Sequence, residues 1–304
     1  MEIAPVVVFA YNRPLHLQRV LDSLSKNDLA SESRLFVYCD GAKEDASDEQ
    51  RSLVEQTRNI AHLAKGFRSV EVIERDHNYG LADNIIGAVT EVVNKYGRII
   101  TLEDDVIASK GFLRYMNEAL YLFSEDERVM HISGYMYPHS EKLPETFFFE
   151  VPYPGGGWAT WKRAWKYFSN DINSLFVYWS TRWHEFNRFG EDYLQRQLEA
   201  NYNGTMYTWF IKWHAVVLKM DGLTLYPHTS LTNNIGFDSS GSNCGTMTKF
   251  DIVQPADYVN VHRIKIKENR KAARIIRHFY SGHWYSKRYR NRWIIKIKSL
   301  LQLK

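Results

Sequence analysis

Continuous apolar runs and apolar residues at helical spacing take turns along the first third of the chain. Pro5 to Tyr11 (PVVVFAY) is an unbroken apolar run, the pattern of a strand buried on both faces. Pro14 then opens a stretch in which Leu17, Val20, Leu21 and Leu24 share one helical face. Leu35 to Cys39 (LFVYC) reads as a second buried strand, stopped by Asp40-Gly41. Ser47 to Ala64 predicts a helix with Leu53, Thr57, Ile60 and Ala64 inward, and Val70 to Ile73 a third strand. Leu81 to Tyr96 is a helix on Ile86, Val89 and Val93. Arg98 to Leu102 (RIITL) is a fourth strand, and Gly111 to Phe123 another helix. Alternation at this pitch predicts right-handed βαβ units, and so an α/β fold with a mostly parallel sheet flanked by helices.

The pattern changes after residue 130. Residues 131–261 mix short strands such as Phe147 to Val151 with Trp-rich helical stretches and the turn Pro154-Gly155-Gly156-Gly157. Residues 262–304 read as basic helices interrupted near Ser281-Gly282. The chain thus divides into 1–130, 131–261 and a tail, 262–304, and it contains no internal repeat.

Composition adds two facts. The 304 residues are 44% hydrophobic and 24% charged, which excludes disordered, collagenous and low-complexity classes. The net charge of +4 hides a split: residues 262–304 hold 14 Lys/Arg against Glu268 alone, and the rest holds 25 Lys/Arg against 34 acids. A basic tail on an acidic body points to an anionic partner for the tail. The longest membrane-span candidate, Trp293 to Leu303, is broken by Lys296 and Lys298 and falls short of ~18 apolar residues. The start of the chain lacks the pattern of a signal peptide. Cys39 and Cys244 have no metal-like spacing, so a reducing cytoplasm is the expected setting.

Ligands of open α/β sheets bind beyond the carboxyl ends of the strands, so the residues after each strand matter most. They are Tyr11-Asn12-Arg13, then Asp40-Gly41, then Asp76 to Gly80 running on to Asp83 and Asn84, then Glu103-Asp104-Asp105. Adjacent carboxylates suit a hard divalent ion, Mg²⁺ or Mn²⁺, shared with substrate phosphates. An acidic triple alone is a weak signal, and Glu125-Asp126-Glu127, which follows a helix, reads as a solvated turn. No GxGxxG or GxxxxGK[ST] is present, so no glycine cradle awaits a phosphate. Asp40 could accept from a base or ribose, or cap a strand end. Arg13 could meet a phosphate or base, or form a salt bridge. Asn78 and Asn84 could contact a ligand or cap a helix.

These residues together resemble a known family. The strand ending in Tyr11-Asn12-Arg13-Pro14, Asp40-Gly41, the run Asn78 to Asn84 and Leu102-Glu103-Asp104-Asp105 are similar to the nucleotide-sugar site of GT-A (Rossmann-like) glycosyltransferases. The likeness is to bacterial family 2-like sugar transferases akin to N-acetylglucosaminyltransferase I. Gly155 to Trp161 with Arg163 and Trp165 resembles the acceptor-side segment, and Leu225-Tyr226-Pro227 with Asn233 to Asp238 the closing loop. The resemblance spans roughly residues 3–245. It implies a donor-binding half at 1–130, an acceptor-binding half at 131–261, and metal-assisted, inverting transfer from a nucleotide diphosphate sugar, a UDP-sugar. Asn12, Arg13, Asp40, Gly80, Asn84, Glu103 and Asp104 would border the donor, Asp105 would ligate Mn²⁺ or Mg²⁺, and Ile235 to Gly241 would close over it.

The chain departs from the pattern at one point. Many relatives carry a Trp-Asp-x-x-Trp segment whose acid serves as base; here Trp209-Phe210-Ile211-Lys212-Trp213 has none. Asp192 is the first substitute, followed by Glu191 and Asp238, each of which could instead be a helix-start or loop acid. Trp158 is the candidate acceptor contact, although Trp158, Trp161 and Trp165 at spacings of 3 and 4 also suit one helical core face. In the tail, Tyr289, Trp293, Ile297 and Leu300 fall on one face among basic residues. That pattern predicts peripheral docking on the anionic inner face of the cytoplasmic membrane, not nucleic acid binding, near a glycan or polyprenyl-diphosphate-linked acceptor of surface polysaccharide synthesis; a helix packed on the body or on a second subunit is the alternative. A catalytically weak or inactive sugar-nucleotide-binding protein and a nucleotidyltransferase are the rival functions.

Overall fold

A computed structural model describes residues 2–187, 192–236 and 255–280. The first half follows the expected alternation: β1 (Val6–Ala10), α1 (Pro14–Ser25), β2 (Arg34–Cys39), α2 (Asp48–His62), β3 (Ser69–Glu74), α3 (Gly80–Tyr96) and β4 (Arg98–Glu103). A two-residue turn, Asp104-Asp105, leads into β5 (Val106–Ala108) and α4 (Phe112–Leu122). Then come β6 (Val129–Ser133), β7 (Thr146–Phe149), β8 (Trp158–Trp161), α5 (Lys162–Trp165), α6 (Ile172–Ser180), α7 (Trp183–Phe186), α8 (Tyr193–Tyr202) and α9 (Trp209–Lys219). The last described elements are β9 (Leu223–Pro227), β10 (Thr232–Asn234) and α10 (Arg270–Tyr280).

Eight strands form one sheet in the order β3-β2-β1-β4-β8-β6-β9-β7. The pairings set six of them in one direction and β8 and β7 in the other, so the sheet is mostly parallel as expected. The apolar run of β1 has a simple cause. Val7 and Phe9 enter the core on one face of the sheet, and Val6, Val8 and Ala10 the core on the other. Helices cover both faces, so neither set of side chains meets water. In α2, Ser47 and Gln50 close a capping box at the start. Its buried line is Val54, Thr57 and Ala61, one step round from the expected face, with Leu53 and Ile60 half-buried at its margin.

The two halves share this sheet. The division at 130/131 falls inside β6, and β8 inserts antiparallel between β4 and β6. That insertion overturns the single-face reading of the tryptophans. Trp158 and Trp161 stand three apart on a strand, so they point to opposite faces, Trp158 with Trp165 into one core and Trp161 into the other. Part of the described tail packs on the body. Arg263 pairs with Asp126, Lys271 with Glu141, and Arg277 with Glu150, so the acidic body is itself an anionic partner of residues 262–280; Arg277 also meets Glu268 within the tail. Residues 281–304, including the face at Tyr289 to Leu300, lie outside the described residues. No helix among the described residues is long and apolar enough to cross a membrane.

Candidate active site

The neighbouring parallel strands β3, β2, β1 and β4 end on the same edge, and the expected polar residues collect there. β1 and β4 run in register from Val6↔Ile100 to Phe9↔Glu103, which sets Arg13 close to the turn after β4. The Arg13 guanidinium bridges that turn: Nη2 bonds Asp104 Oδ1 and lies 3.0 Å from Asp105 Oδ2. The Tyr11 backbone N–H also donates to Asp104. Asn12 is half-buried at the start of the same turn.

The electrostatics follow from burial and opposed charge. Asp104 and Asp105 are buried, at 3% and 5% exposure, and Glu103 is half-buried. Burial, with Asp105 and Asp104 beside it, pushes the Glu103 carboxyl up to about 8. Burial also raises Asp104, to about 6, against the opposing pull of Arg13. For Arg13, burial disfavours the charge, yet the carboxylates of Asp104 and Asp105 outweigh it and the guanidinium is held firmly protonated.

β10 closes the cluster from the other side. It pairs antiparallel with β5, Asn234 opposite Val106, and Ile235 N–H donates to the Asp105 carbonyl at 2.8 Å. Asn234 Nδ2 donates to Asp105 Oδ1 at 3.2 Å, and Asn234 Oδ1 accepts from Gly236 N at 2.7 Å. Gly236 needs to lack a side chain: a Cβ there would collide with Asp105 Oδ2 and press on Arg13. Asn234 was missed as an individual residue. Its signal was its place two residues before that glycine in the closing-loop segment. Residues 237–241 of that segment lie outside the described residues.

Asp40, where the resemblance implied a nucleoside contact, is engaged by the turn beside it. Its Oδ1 accepts from the backbone N–H groups of Gly41 (2.9 Å) and Tyr79 (2.8 Å), and its Oδ2 from Gly80 N (3.0 Å) and Asn78 Nδ2 (3.2 Å). The carboxylate caps the start of α3 and fixes the turn before it. Gly80 takes φ +75°, and the space where its side chain would stand is open. Asn84 is buried, and its Oδ1 accepts from Arg75 Nε at 3.1 Å. Arg75 in turn lies over the rings of Tyr79 (4.7 Å) and Tyr38 (5.1 Å). Sequence reasoning passed over Arg75, although it is the first residue beyond β3 and the strand-end rule covers it.

The acceptor-side expectations fare less well. Trp158 is 3% exposed, stacked between His131 (5.2 Å) and Trp209 (5.0 Å), so it is core and not an acceptor surface. Asp192 sits exposed at the start of α8, 3.0 Å from Arg196 one turn on, and is not brought to the acidic cluster by any contact among the described residues. Glu191 and Asp238 lie outside the described residues. Phe210, at the position where the resemblance implied an acid, packs edge-on against Trp209. Lys212, on the same helix, donates to Asn170 Oδ1 at 2.6 Å and covers the Tyr207 ring, whose hydroxyl donates to Asp83 at 2.6 Å. This chain of contacts ties α9 to the first turn of α3.

The donor type in the cluster, carboxylate oxygen, is the one hard divalent cations take, and here Asp105 Oδ2 faces Arg13 while Oδ1 accepts from Asn234. The cluster's donors lie on one short turn, and no group of three His, Cys, Asp or Glu side chains forms a metal cage among the described residues. One or two carboxylates with the remaining positions left to substrate phosphates is the usual way Mg²⁺ is held.

Comparison with known proteins supplies the lineage. The family model described as GNT-I family matches residues 1–197. A curated relative, alpha-1,3-mannosyl-glycoprotein 2-beta-N-acetylglucosaminyltransferase of Arabidopsis thaliana, is 26% identical over 208 residues, covering 65% of this chain and 45% of the relative. The chain therefore spans less than half the length of that protein. Among solved structures, galactosyltransferase LgtC with donor and acceptor sugar analogs overlaps at TM-score 0.38 and 13% identity, covering 73% of this chain and 72% of that one. S. aureus TarS 1-349 in complex with UDP overlaps at TM-score 0.31 and 19% identity, covering 47% and 38%.

Proposed function

The chain belongs to the GNT-I family, and from that premise we propose that it is a glycosyltransferase. It moves a sugar from a nucleotide diphosphate donor, a UDP-sugar, to a glycan or polyprenyl-diphosphate-linked acceptor. The work belongs to surface polysaccharide synthesis at the inner face of the cytoplasmic membrane and inverts the anomeric carbon. The observation that carries the reading is the Arg13–Asp104–Asp105 cluster at the joined ends of β1 and β4, enclosed by Asn234 and Gly236.

Asp105 is the residue that would hold Mn²⁺ or Mg²⁺, which when bound supplies positive charge to the departing diphosphate. The chain's own groups do the rest. Arg13 is a second, permanent cation beside the leaving group, and Asp104 aims it. Asn234 fixes the carboxylate plane of Asp105 through Oδ1. Asp40 holds the turn from Asn78 to Gly80, whose open side gives the nucleoside room. Glu103, Asp104 and Asn84 border the donor from β4 and α3. The acceptor hydroxyl needs a base, and Asp192, Glu191 and Asp238 are its candidates in that order.

One observation favours a second reading, a weak or inactive transferase: an aromatic ring, Phe210, stands where the resemblance implied an acid. Release of free UDP from a panel of UDP-sugars, with Mn²⁺ and with or without a lipid-linked acceptor, tests both. Acceptor-dependent release supports the transferase, slow acceptor-independent release supports the weak enzyme, and binding without release from any donor overturns the catalytic reading.

A further inference from the structure

The basic residues of the described tail fall into two sets. Arg263 makes a bidentate pair with Asp126, Lys271 reaches Glu141, and Arg277 reaches Glu150 and Glu268. The pairs with Asp126, Glu141 and Glu150 fasten the tail to the body. Lys265, Lys267, Arg270 and Arg274 are exposed, and no side-chain hydrogen bond or ion pair engages them among the described residues.

The backbone explains the separation. From Ile264 to Lys267 the chain runs with Ile264 and Ile266 against the core and the two lysines outward. Phe148 and Glu268 form a parallel bridge, and Asn269 N–H donates to the Phe148 carbonyl at 2.9 Å, so this segment lies along the edge of the sheet. In α10, Ala272, Ala273, Ile276 and Phe279 are buried in the body. Arg270 and Arg274, one turn apart, stand on the outer face. The apolar side of α10 is thus already used within the molecule. This helix cannot lay that side into a bilayer, and what it offers outward is charge.

We propose that Lys265, Lys267, Arg270 and Arg274 form a docking ridge for an anionic lipid bilayer. Two features of the chain select this occupant. The ridge is continuous in sequence with residues 281–304, which add seven Lys/Arg, no acid, and Trp284, Tyr285, Tyr289 and Trp293, residue types that favour the membrane–water interface. The acid-rich body, 34 acids against 25 Lys/Arg outside residues 262–304, opposes wrapping by a nucleic acid. The contact is electrostatic and falls away with salt. The inference deepens the membrane side of the proposed function and is independent of the transfer chemistry.

Full-length chain is mixed with vesicles of phosphatidylglycerol and phosphatidylcholine, or of phosphatidylcholine alone, and sedimented at low and high salt. The native chain is expected to pellet with the anionic vesicles only, and less at high salt. The quadruple variant K265E, K267E, R270E, R274E is expected to bind at least about tenfold more weakly. Its thermal midpoint and its donor hydrolysis in solution stay native, which separates this result from a failure of the transferase reading. The milder Lys/Arg→Gln series at the same four positions serves if the reversed charges impair folding. Unchanged vesicle binding by the folded variants, equal binding to phosphatidylcholine alone, or tighter binding to double-stranded DNA than to anionic vesicles each overturns the proposal.

Discussion

Two acidic triples stand in this chain, and the fold uses them differently. Glu103-Asp104-Asp105 ends a strand buried on both faces, and the Asp104 and Asp105 carboxylates are drawn inward against Arg13, Asn234 and Gly236. Glu125-Asp126-Glu127 follows the end of α4, with Glu125 and Glu127 exposed and Asp126 gripping Arg263 of the tail. The residue types are nearly the same. What differs is the preceding element, which decides whether a carboxylate is delivered to a strand-end crevice or to solvent. Two carboxylates of the first triple, Asp104 and Asp105, share a single cation, Arg13. Exposed acids gain little beyond a surface pair.

Breaking each triple in turn separates the two uses. Asp105→Asn is expected to lower kcat for donor turnover by about a hundredfold or more, as loss of a group stabilising a leaving anion does. Asp126→Asn is expected to leave kcat within about twofold. Equal losses in the two variants would erase the distinction. A smaller effect is expected at the lid of the first triple. Gly236→Ala places a methyl against Asp105 Oδ2 and weakens donor binding by about 1–3 kcal/mol, read by titration calorimetry.

A buried group without a counter-charge sharpens the same comparison. His131, stacked on Trp158 and accepting from Trp213 Nε1, is pushed down to about 3 by burial. Its folded value lies below the unfolded one, so the stability it contributes is complete above about pH 6.5 and is lost as pH falls from there towards 3. The slope is about 1.4 kcal/mol per pH unit in that window. Melting midpoints across it are expected to fall less steeply in His131→Gln than in the native chain. The smallest effect belongs to the second triple: Arg263→Gln is expected to cost about 0.2–1 kcal/mol in a denaturant titration, with activity unchanged.

The donor half was legible because its signals are local. PVVVFA and RIITL read as doubly covered strands, and the strand-end rule located Arg13, Asp104 and Asp105 without any knowledge of contacts. The rule could not say what those groups would meet. Asp40 reads as a ligand contact or a cap until the backbone donors of Gly41, Tyr79 and Gly80 are seen around it. The acceptor half was illegible for a different reason. Trp158, Trp161 and Trp165 have helical spacing, but a strand that returns antiparallel into the centre of the sheet sends Trp158 and Trp161 to opposite faces. Net charge likewise records the tail's excess without recording that Asp126, Glu141 and Glu150 fold against part of it.

The central claim is that the first triple is the donor's cation site and the second is not. Titration of UDP into the native chain, Asp105→Asn and Asp126→Asn, with and without Mn²⁺, tests it most directly. The account predicts that Mn²⁺ strengthens UDP binding to the native chain and to Asp126→Asn, and that Asp105→Asn loses this dependence while remaining folded. Retention of the full Mn²⁺ effect in Asp105→Asn would contradict it.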